Sequence, residues 1–219
     1  MAEELTSRYT RGEEYANIGT HAVGIVLSIV ALVLMVLFAA ENGDPYFIVA
    51  VSIFGATLIL LYLTSTLYHS VRHPKVKYVF RVFDHVCIYL LIAGSYTPFT
   101  LVTLRGGWGW TLFGLTWGLA LFGIIFKIFF TKRFSILSTF MYIALGWLVV
   151  IAIKPVVLTV PAGGLAWLVA GGLLYTFGVL FYLWRRIPYH HAIWHLFVMA
   201  GSFCHFLAVY YYVMPPHAV

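Results

Sequence analysis

Long apolar runs, separated by short polar connectors, set the pattern of this chain. There are seven such runs, and each is close to the roughly 20 helical residues that cross a bilayer core. None shows the apolar–polar alternation of a half-buried strand, and a helix keeps its backbone hydrogen bonds within one segment. The pattern predicts an all-α integral membrane bundle of seven transmembrane helices, near residues 19–40, 46–68, 82–104, 108–130, 134–153, 162–183 and 190–213.

The connectors between these runs are too short to fold independently. The longest, SVRHPKVKYVFR, joins the second and third runs. We therefore expect one domain over residues 1–219, with residues 1–18 as a segment ahead of the first helix. The first run is longer than the apolar core of a signal peptide and carries His21 near its start, which favours a retained helix.

Composition agrees with a membrane protein. Of the 219 residues, 63% are hydrophobic and only 9% are charged, whereas soluble domains carry about 25% charged residues. The net charge of +6 does not predict nucleic-acid binding, because the basic residues lie in or beside the short connectors. Cys87 and Cys204 lie inside apolar runs, where we expect them to pack rather than to form a disulfide.

The basic residues also predict the orientation of the chain. Eleven lysines and arginines belong to the side that holds the N-terminus, Lys127 among them, and only Arg105 and Lys154 belong to the other side. Such a bias places the N-terminus in the cytoplasm and the C-terminus outside. The chain is thus expected to be a multi-pass protein of the cytoplasmic (inner) membrane.

Polar residues from three runs fall at the same depth near the cytoplasmic end. Ser65 and His69 close the second run, and Asp84 opens the third. His191 and His195 open the seventh, and residues four apart share a helix face. Three imidazoles with an open fourth position form the catalytic type of zinc site. The pattern predicts Zn²⁺ as cofactor, with Asp84 and Ser65 beside it.

Other polar residues allow more than one interpretation. The start of the first run carries a polar set, Glu14, Asn17 and His21. These residues either form a hydrogen-bonding network that supports the metal ligands or are simply the polar beginning of the helix. Asp84 has an alternative partner in Arg81, where the helix dipole also favours a carboxylate. The remaining histidines are weaker candidates: His73 is expected to be solvated, His85 to point away from Asp84, and His205 to lie about 21 Å deeper and to form a hydrogen bond inside the bundle.

Pro98 interrupts the third run within the segment Gly94–Pro98. Proline removes a helical hydrogen bond, so a kink is expected there, with Ser95 or Thr97 bonding the carbonyls that it frees. Such a break either opens an inner cavity or only adjusts packing.

Four elements together resemble the progestin and adipoQ receptor superfamily, specifically its bacterial hemolysin III-like branch. They are Glu14-x-x-Asn17-x-x-x-His21, Ser65-x-x-x-His69, the segment DHVCIYLLIAGSYTPF from Asp84 and the segment HHAIWHLFVMAGSFCHF from His190. The resemblance extends over essentially the whole chain.

This resemblance implies a seven-helix bundle that is inverted relative to G-protein-coupled receptors. It implies zinc ligation by His69, His191 and His195, with the zinc-bound water held by Asp84 and Ser65. Adiponectin-receptor relatives are associated with ceramidase-like amide hydrolysis. The bacterial branch is associated with membrane-lipid homeostasis and carries an old haemolysin label.

Several functions remain open at this point. The first is a zinc-dependent hydrolase of lipid amides or esters, with membrane lipids as partners and an acyl-chain lipid as substrate. The second is a non-catalytic sensor or regulator of membrane state with a structural zinc, and the third is a pore-forming haemolysin. Transport lacks obvious repeats or mid-membrane charges, and a retinal pump is excluded because the seventh run has no lysine. The pattern does not indicate an oligomeric state.

Overall fold

The structure is a computed structural model that describes residues 9–41, 44–130 and 134–213, apart from the side chain at position 135. Three of the basic residues used for the orientation, Arg8, Lys132 and Arg133, lie outside the described residues. So does the first part of the expected N-terminal segment.

All secondary-structure elements in the described ranges are helical. Seven segments among them are long and apolar enough to cross a membrane, which confirms the predicted fold class. The helices are α1 (Arg11–Glu41), α2 (Pro45–Ser70), α3 (Pro74–Pro98, continued by a π-helical turn at Phe99–Thr103), α4 (Gly107–Phe130), α5 (Ser135–Gly146, followed by a 3₁₀ segment at Leu148–Ala152), α6 (Ile153–Thr159), α7 (Ala162–Leu183) and α8 (His190–Tyr212).

The first helix begins eight residues before the predicted span, at Arg11. Thr10 and Glu13 cap it reciprocally. The backbone N–H of Thr10 donates to Glu13 Oε2 at 2.9 Å, and the N–H of Glu13 donates to Thr10 Oγ1 at 3.3 Å. This Thr-x-x-Glu capping box satisfies two free backbone donors and makes the polar segment helical. Glu14 and Asn17 therefore lie on the same helix as His21.

The third helix also begins earlier than predicted. Pro74 occupies its first turn, where the fixed φ angle suits a helix and the missing N–H needs no partner. Most of the predicted connector SVRHPKVKYVFR is consequently helical. His73 precedes the helix as its N-cap and is exposed, as expected for a solvated histidine.

The fifth span is broken in the middle and continues past its predicted end at residue 153. Helix α5 ends at Gly146, and after the 3₁₀ segment α6 contains Pro155, whose ring cannot sit against an α-helical carbonyl four residues back. Tyr96 of α3 forms hydrogen bonds with two backbone groups at this break. Its hydroxyl donates to the Gly146 carbonyl at 2.7 Å and accepts from the Val149 N–H at 2.9 Å.

Pro98 is followed by a π-helical turn. The hydroxyls of Ser95 and Thr97 do form hydrogen bonds with backbone carbonyls. Neither of these carbonyls is the one that Pro98 leaves without its helical donor. Ser95 Oγ donates to the Ile92 carbonyl at 2.8 Å, and Thr97 Oγ1 donates to the Ala93 carbonyl at 2.9 Å. Ser95 also lines the internal cavity described below, so the irregular third span borders that space.

Packing divides the bundle into a tight half and a loose half. Helices α1, α2 and α3 pack closely in sequence, and α8 packs against both α7 and α1. The main apolar core lies among α1, α2, α3 and α8 and includes Phe47, Phe54 and Val209. By contrast, α5 barely touches α7. A cavity of about 250 Å³ occupies the looser region, with walls from α3, α5, α7 and α8.

Candidate metal centre

Three buried histidines converge where α2 ends and α8 begins, which we call the histidine end of the bundle. His69 lies in the last turn of α2, and His191 and His195 lie in the first two turns of α8. One nitrogen from each ring lies within 4.8 Å of the others. Because i,i+4 spacing puts both α8 rings on one face, a group that can hold a metal ion forms between two helices.

The contacts of His69 leave one ring nitrogen available for a ligand. Nδ1 lies 2.6 Å from Glu14 Oε2, and Nε2 is buried without a hydrogen-bond partner among the described residues. The Asn17 amide nitrogen approaches Nδ1 only to 3.4 Å. The carboxylate can only accept, so Nδ1 carries the proton and Nε2 offers its lone pair. A metal ion fits this tautomer.

A lysine holds the carboxylate in place. Lys77 Nζ of α3 lies 3.0 Å from Glu14 Oε1 and 3.1 Å from the carbonyl oxygen of Tyr68. Its ammonium also lies 4.9 Å from the centre of the Tyr68 ring. Each oxygen of Glu14 therefore has one partner, and the chain Lys77–Glu14–His69 links α3, α1 and α2.

His195 is also held from α1. Its Nδ1 lies 3.1 Å from Thr20 Oγ1, while the same hydroxyl is 2.9 Å from the carbonyl of Ala16. The hydroxyl has one proton, and donating it to the carbonyl leaves its oxygen free to accept from His195 Nδ1–H. The Asn17 carbonyl, which also accepts from Thr20 Oγ1 at 3.0 Å, lies close to this ring. Nε2 is then the nitrogen of His195 available for a metal.

His21 packs on this group and is not placed to share its ion. Its ring stacks on His195 with centroids 3.4 Å apart and planes 13° apart. A metal ion bound by an imidazole lies near the plane of that ring, so two nearly parallel stacked rings cannot readily share one ion. Both nitrogens of His21 are buried without a hydrogen-bond partner among the described residues.

Tyr9 covers the histidine end from the N-terminal segment. Its ring stacks on His191 at a centroid distance of 5.2 Å and lies 5.7 Å from that of His69. Nδ1 of His191 is buried and has no hydrogen-bond partner in the described part of the chain. An aromatic ring therefore shields two of the three imidazoles.

Asp84 and Ser65 lie beside the three histidines. Asp84 interacts electrostatically with His69, and its side chain is only 14% exposed. Ser65 is buried and lies next to Asp84 without a hydrogen bond of good geometry. Both residues are thus near His69, and their role at a metal ion stays a prediction.

Lys127 is a buried charge near the end of the fourth span. It was counted with the basic residues of the N-terminal side, and it lies inside α4, within the predicted span 108–130, where it is 1% exposed. The electrostatic partner of opposite sign for this lysine is Asp84. A buried cation in a membrane needs a nearby anion, which explains this placement. Arg81 acts on Asp84 only at longer range and forms no ion pair with it among the described residues, so the alternative pairing considered for the carboxylate is not formed.

The cavity begins at the histidine end and extends into the bundle. His191 and His195 belong to its wall, as do His85 and the deeper His205. His85 Nδ1 donates to the Arg81 carbonyl at 2.6 Å and also lies 3.6 Å from Asp84 Oδ2, so the expectation that His85 points away from Asp84 is wrong. His205 lies near the Leu168 carbonyl, while its Nδ1 is buried without a hydrogen-bond partner among the described residues. The hydrogen bond expected for His205 inside the bundle stays a prediction.

Sequence reasoning missed three residues of this end: Tyr9, Thr20 and Lys77. A signal for Thr20 was present, because Glu13, Asn17 and Thr20 follow helical spacing along one side of α1. No such spacing distinguishes Lys77 or Tyr9.

Comparisons with known proteins show what this chain is similar to. Residues 9–206 match the family described as Haemolysin-III related. Hemolysin-3 of Bacillus cereus is 50% identical over 217 residues, covering 98% of this chain and 99% of that protein. The Hemolysin-3 homolog of Bacillus subtilis (strain 168) is 51% identical over 204 residues, covering 93% and 96%. The human Monocyte to macrophage differentiation factor is 30% identical over 207 residues, covering 92% and 84%. No solved structure matches the chain.

Proposed function

We infer the function from two premises: the chain belongs to the haemolysin-III-related family, and three buried histidines converge beside an internal cavity. Membership of this family and its human relative confirm the resemblance to the progestin and adipoQ receptor superfamily. We propose that the protein is a zinc-dependent hydrolase of membrane lipids that cleaves an amide or ester bond. Its role would be membrane-lipid homeostasis.

The donor set supports zinc. Neutral imidazoles at an enclosed, redox-silent site suit this ion, and the carboxylate on His69 resembles the outer partners of many zinc-binding histidines. Bound zinc would polarise a carbonyl and make water acidic near neutral pH. The chain would hold it through His69, His191 and His195.

Asp84 is the residue proposed to handle the proton. Its carboxylate lies beside His69 and lines the cavity, so it can orient a water molecule and accept its proton. The nearby Ser65 hydroxyl can donate a hydrogen bond to the same water or to Asp84. Lys127 supplies a buried positive charge near this carboxylate.

The observation that most supports this proposal is that two of the three histidines line the internal cavity. A structural zinc site needs no substrate space, whereas His191 and His195 line a volume of about 250 Å³. Apolar wall residues, including Ile88, Leu91 and Val198, suit an acyl chain. Because α5 barely touches α7, a chain entering from the membrane would pass between them.

The proposed location is the cytoplasmic membrane, with the histidine end facing the cytoplasm. The described basic residues Arg72, Lys75 and Lys77 lie at that end, whereas Arg105 lies at the other. The reaction would thus occur near the headgroups of the inner leaflet.

His191→Ala tests the proposal against His73→Ala, since His73 is exposed and outside the site. We expect the first variant to lose both bound zinc and hydrolysis of lipid amides or esters in purified, reconstituted protein, and the second to keep both. Hydrolysis that persists in the metal-free variant would refute the proposal. Zinc that stabilises the wild type without any hydrolysis would instead support the sensor with a structural zinc.

A further inference from the structure

The mouth of the cavity carries positive charge that no group within residues 9–41, 44–130 and 134–213 neutralises fully. Arg81 of α3 and Arg185 of the segment between α7 and α8 both line it at the histidine end. Neither guanidinium forms a hydrogen bond or an ion pair within the part of the chain that the structure describes. The two side chains therefore face the same space with free donors.

Nearby acids do not cancel this charge. Of the acidic residues that the structure describes, only Asp84 belongs to the cavity wall, and it also interacts with the buried Lys127. The Glu14 carboxylate is used by His69 and Lys77. Glu13 is bound to Thr10 and to the backbone N–H of Tyr189. The acids of α1 are thus committed to other contacts, and the mouth keeps a positive excess.

We propose that the mouth of the cavity binds the anionic headgroup of a membrane lipid, a phosphodiester held by Arg81 and Arg185. Guanidinium groups present paired donors that match the oxygens of such an anion. Tyr78 and Tyr182 also line this cavity. The acyl chain of the same lipid would lie in the apolar part of the cavity.

This site deepens the proposed hydrolase, because it selects a substrate by headgroup charge. It also explains why Arg81 and Arg185 line the cavity whereas other arginines at the same end do not. Arg72 and Arg186 are exposed at the same end of the bundle, but neither lines the cavity. Orientation in the membrane requires only positive charge at that end, whereas headgroup binding requires it at the cavity mouth.

A binding measurement on the purified full chain in detergent tests the proposal. The probes are phosphatidylglycerol, diacylglycerol with the same chains, and soluble glycerol 3-phosphate, with single-lipid complexes counted by native mass spectrometry. We expect phosphatidylglycerol to bind about tenfold more tightly than diacylglycerol, and Arg81→Gln or Arg185→Gln to weaken it about fivefold each. Arg72→Gln and Arg186→Gln should change it by less than about twofold. Arg81→Lys should restore part of the affinity.

Equal binding of phosphatidylglycerol and diacylglycerol by the wild type would overturn the proposal. So would equal losses in the cavity variants and in the two control variants, or glycerol 3-phosphate binding as tightly as the lipid. The binding measurement does not depend on turnover, so it is separate from the hydrolysis assay with His191→Ala. A preference for the anionic headgroup in a protein that hydrolyses no lipid would count against the hydrolase alone. Hydrolysis without headgroup preference would count against the arginine site alone.

Discussion

Oε2 of Glu14 lies 2.6 Å from Nδ1 of His69 and connects the first helix to the second at the histidine end. This contact determines which nitrogen of His69 points to the other two rings. It also depends on a stretch of chain that hydropathy alone does not assign to a helix. The orientation of a ligand from α2 is thus controlled by a residue one turn into α1.

Replacing Glu14 with Gln should weaken zinc binding about 10- to 100-fold, because the neutral amide holds the His69 ring less firmly in the required tautomer. Competition with a fluorescent chelator measures the affinity. Glu13→Gln is the matched control, since Glu13 contacts Thr10 and Tyr189 instead. Equal affinities of the two variants would contradict an orienting role for Glu14.

Replacing His21 with Phe should leave the zinc stoichiometry unchanged, whereas His195→Ala should lose the ion. The stacked geometry keeps His21 out of the plane in which His195 would bind the metal. Phenylalanine preserves the ring contact and removes two buried nitrogens that lack partners, so the thermal midpoint should not fall. Elemental analysis and a melting curve give both readouts. Zinc loss in His21→Phe as complete as in His195→Ala would show that His21 is a ligand.

Replacing Tyr9 with Ala should speed the removal of zinc by an added chelator several-fold. The Tyr9 ring covers His191 and His69 and is not one of the three proposed ligands, so the equilibrium affinity should change little. A stopped-flow chelation assay measures the rate. Tyr15→Ala is the control, because Tyr15 lies nearby on α1 and is 65% exposed. Identical release rates in both variants would mean that Tyr9 does not shield the site.

Replacing Tyr96 with Phe should destabilise the protein by about 1–3 kcal/mol, because the Gly146 carbonyl and the Val149 N–H both lose their partner. Unfolding in detergent measures the free energy, and hydrogen exchange should accelerate at Val149. Tyr211→Phe, at a side chain that is 57% exposed, controls for the loss of a hydroxyl. Unchanged exchange at Val149 would show that the break does not depend on Tyr96.

Two features follow directly from the positions of residues along the sequence. They are the number of spans and the convergence of His69, His191 and His195. Apolar runs have a length that the bilayer dictates, and i,i+4 pairs at the ends of runs must lie on one face at one depth. Both features need only helical geometry and topology. For this reason they could be predicted from the sequence.

Other features depend on contacts between remote segments. Lys127 lies within the predicted fourth span, yet the sequence does not show that it is buried or that Asp84 of α3 supplies the opposite charge. The stacking of His21 on His195 depends on how far α1 rotates about its own axis, which hydropathy does not constrain. The break in the fifth span could have been anticipated from Pro155, but its repair by Tyr96 could not.

The three histidines and the carboxylate that holds one of them come from α1, α2 and α8, and this has a consequence for how the site is assembled. During translation, His69 and its partner Glu14 enter the bilayer before His191 and His195, which belong to a later helix. The three imidazoles can therefore meet around one ion only after α8 has been inserted. A chain that stops before α8 would lack two of the three proposed ligands, so the proposed zinc site would form after the apolar core among α1, α2 and α3.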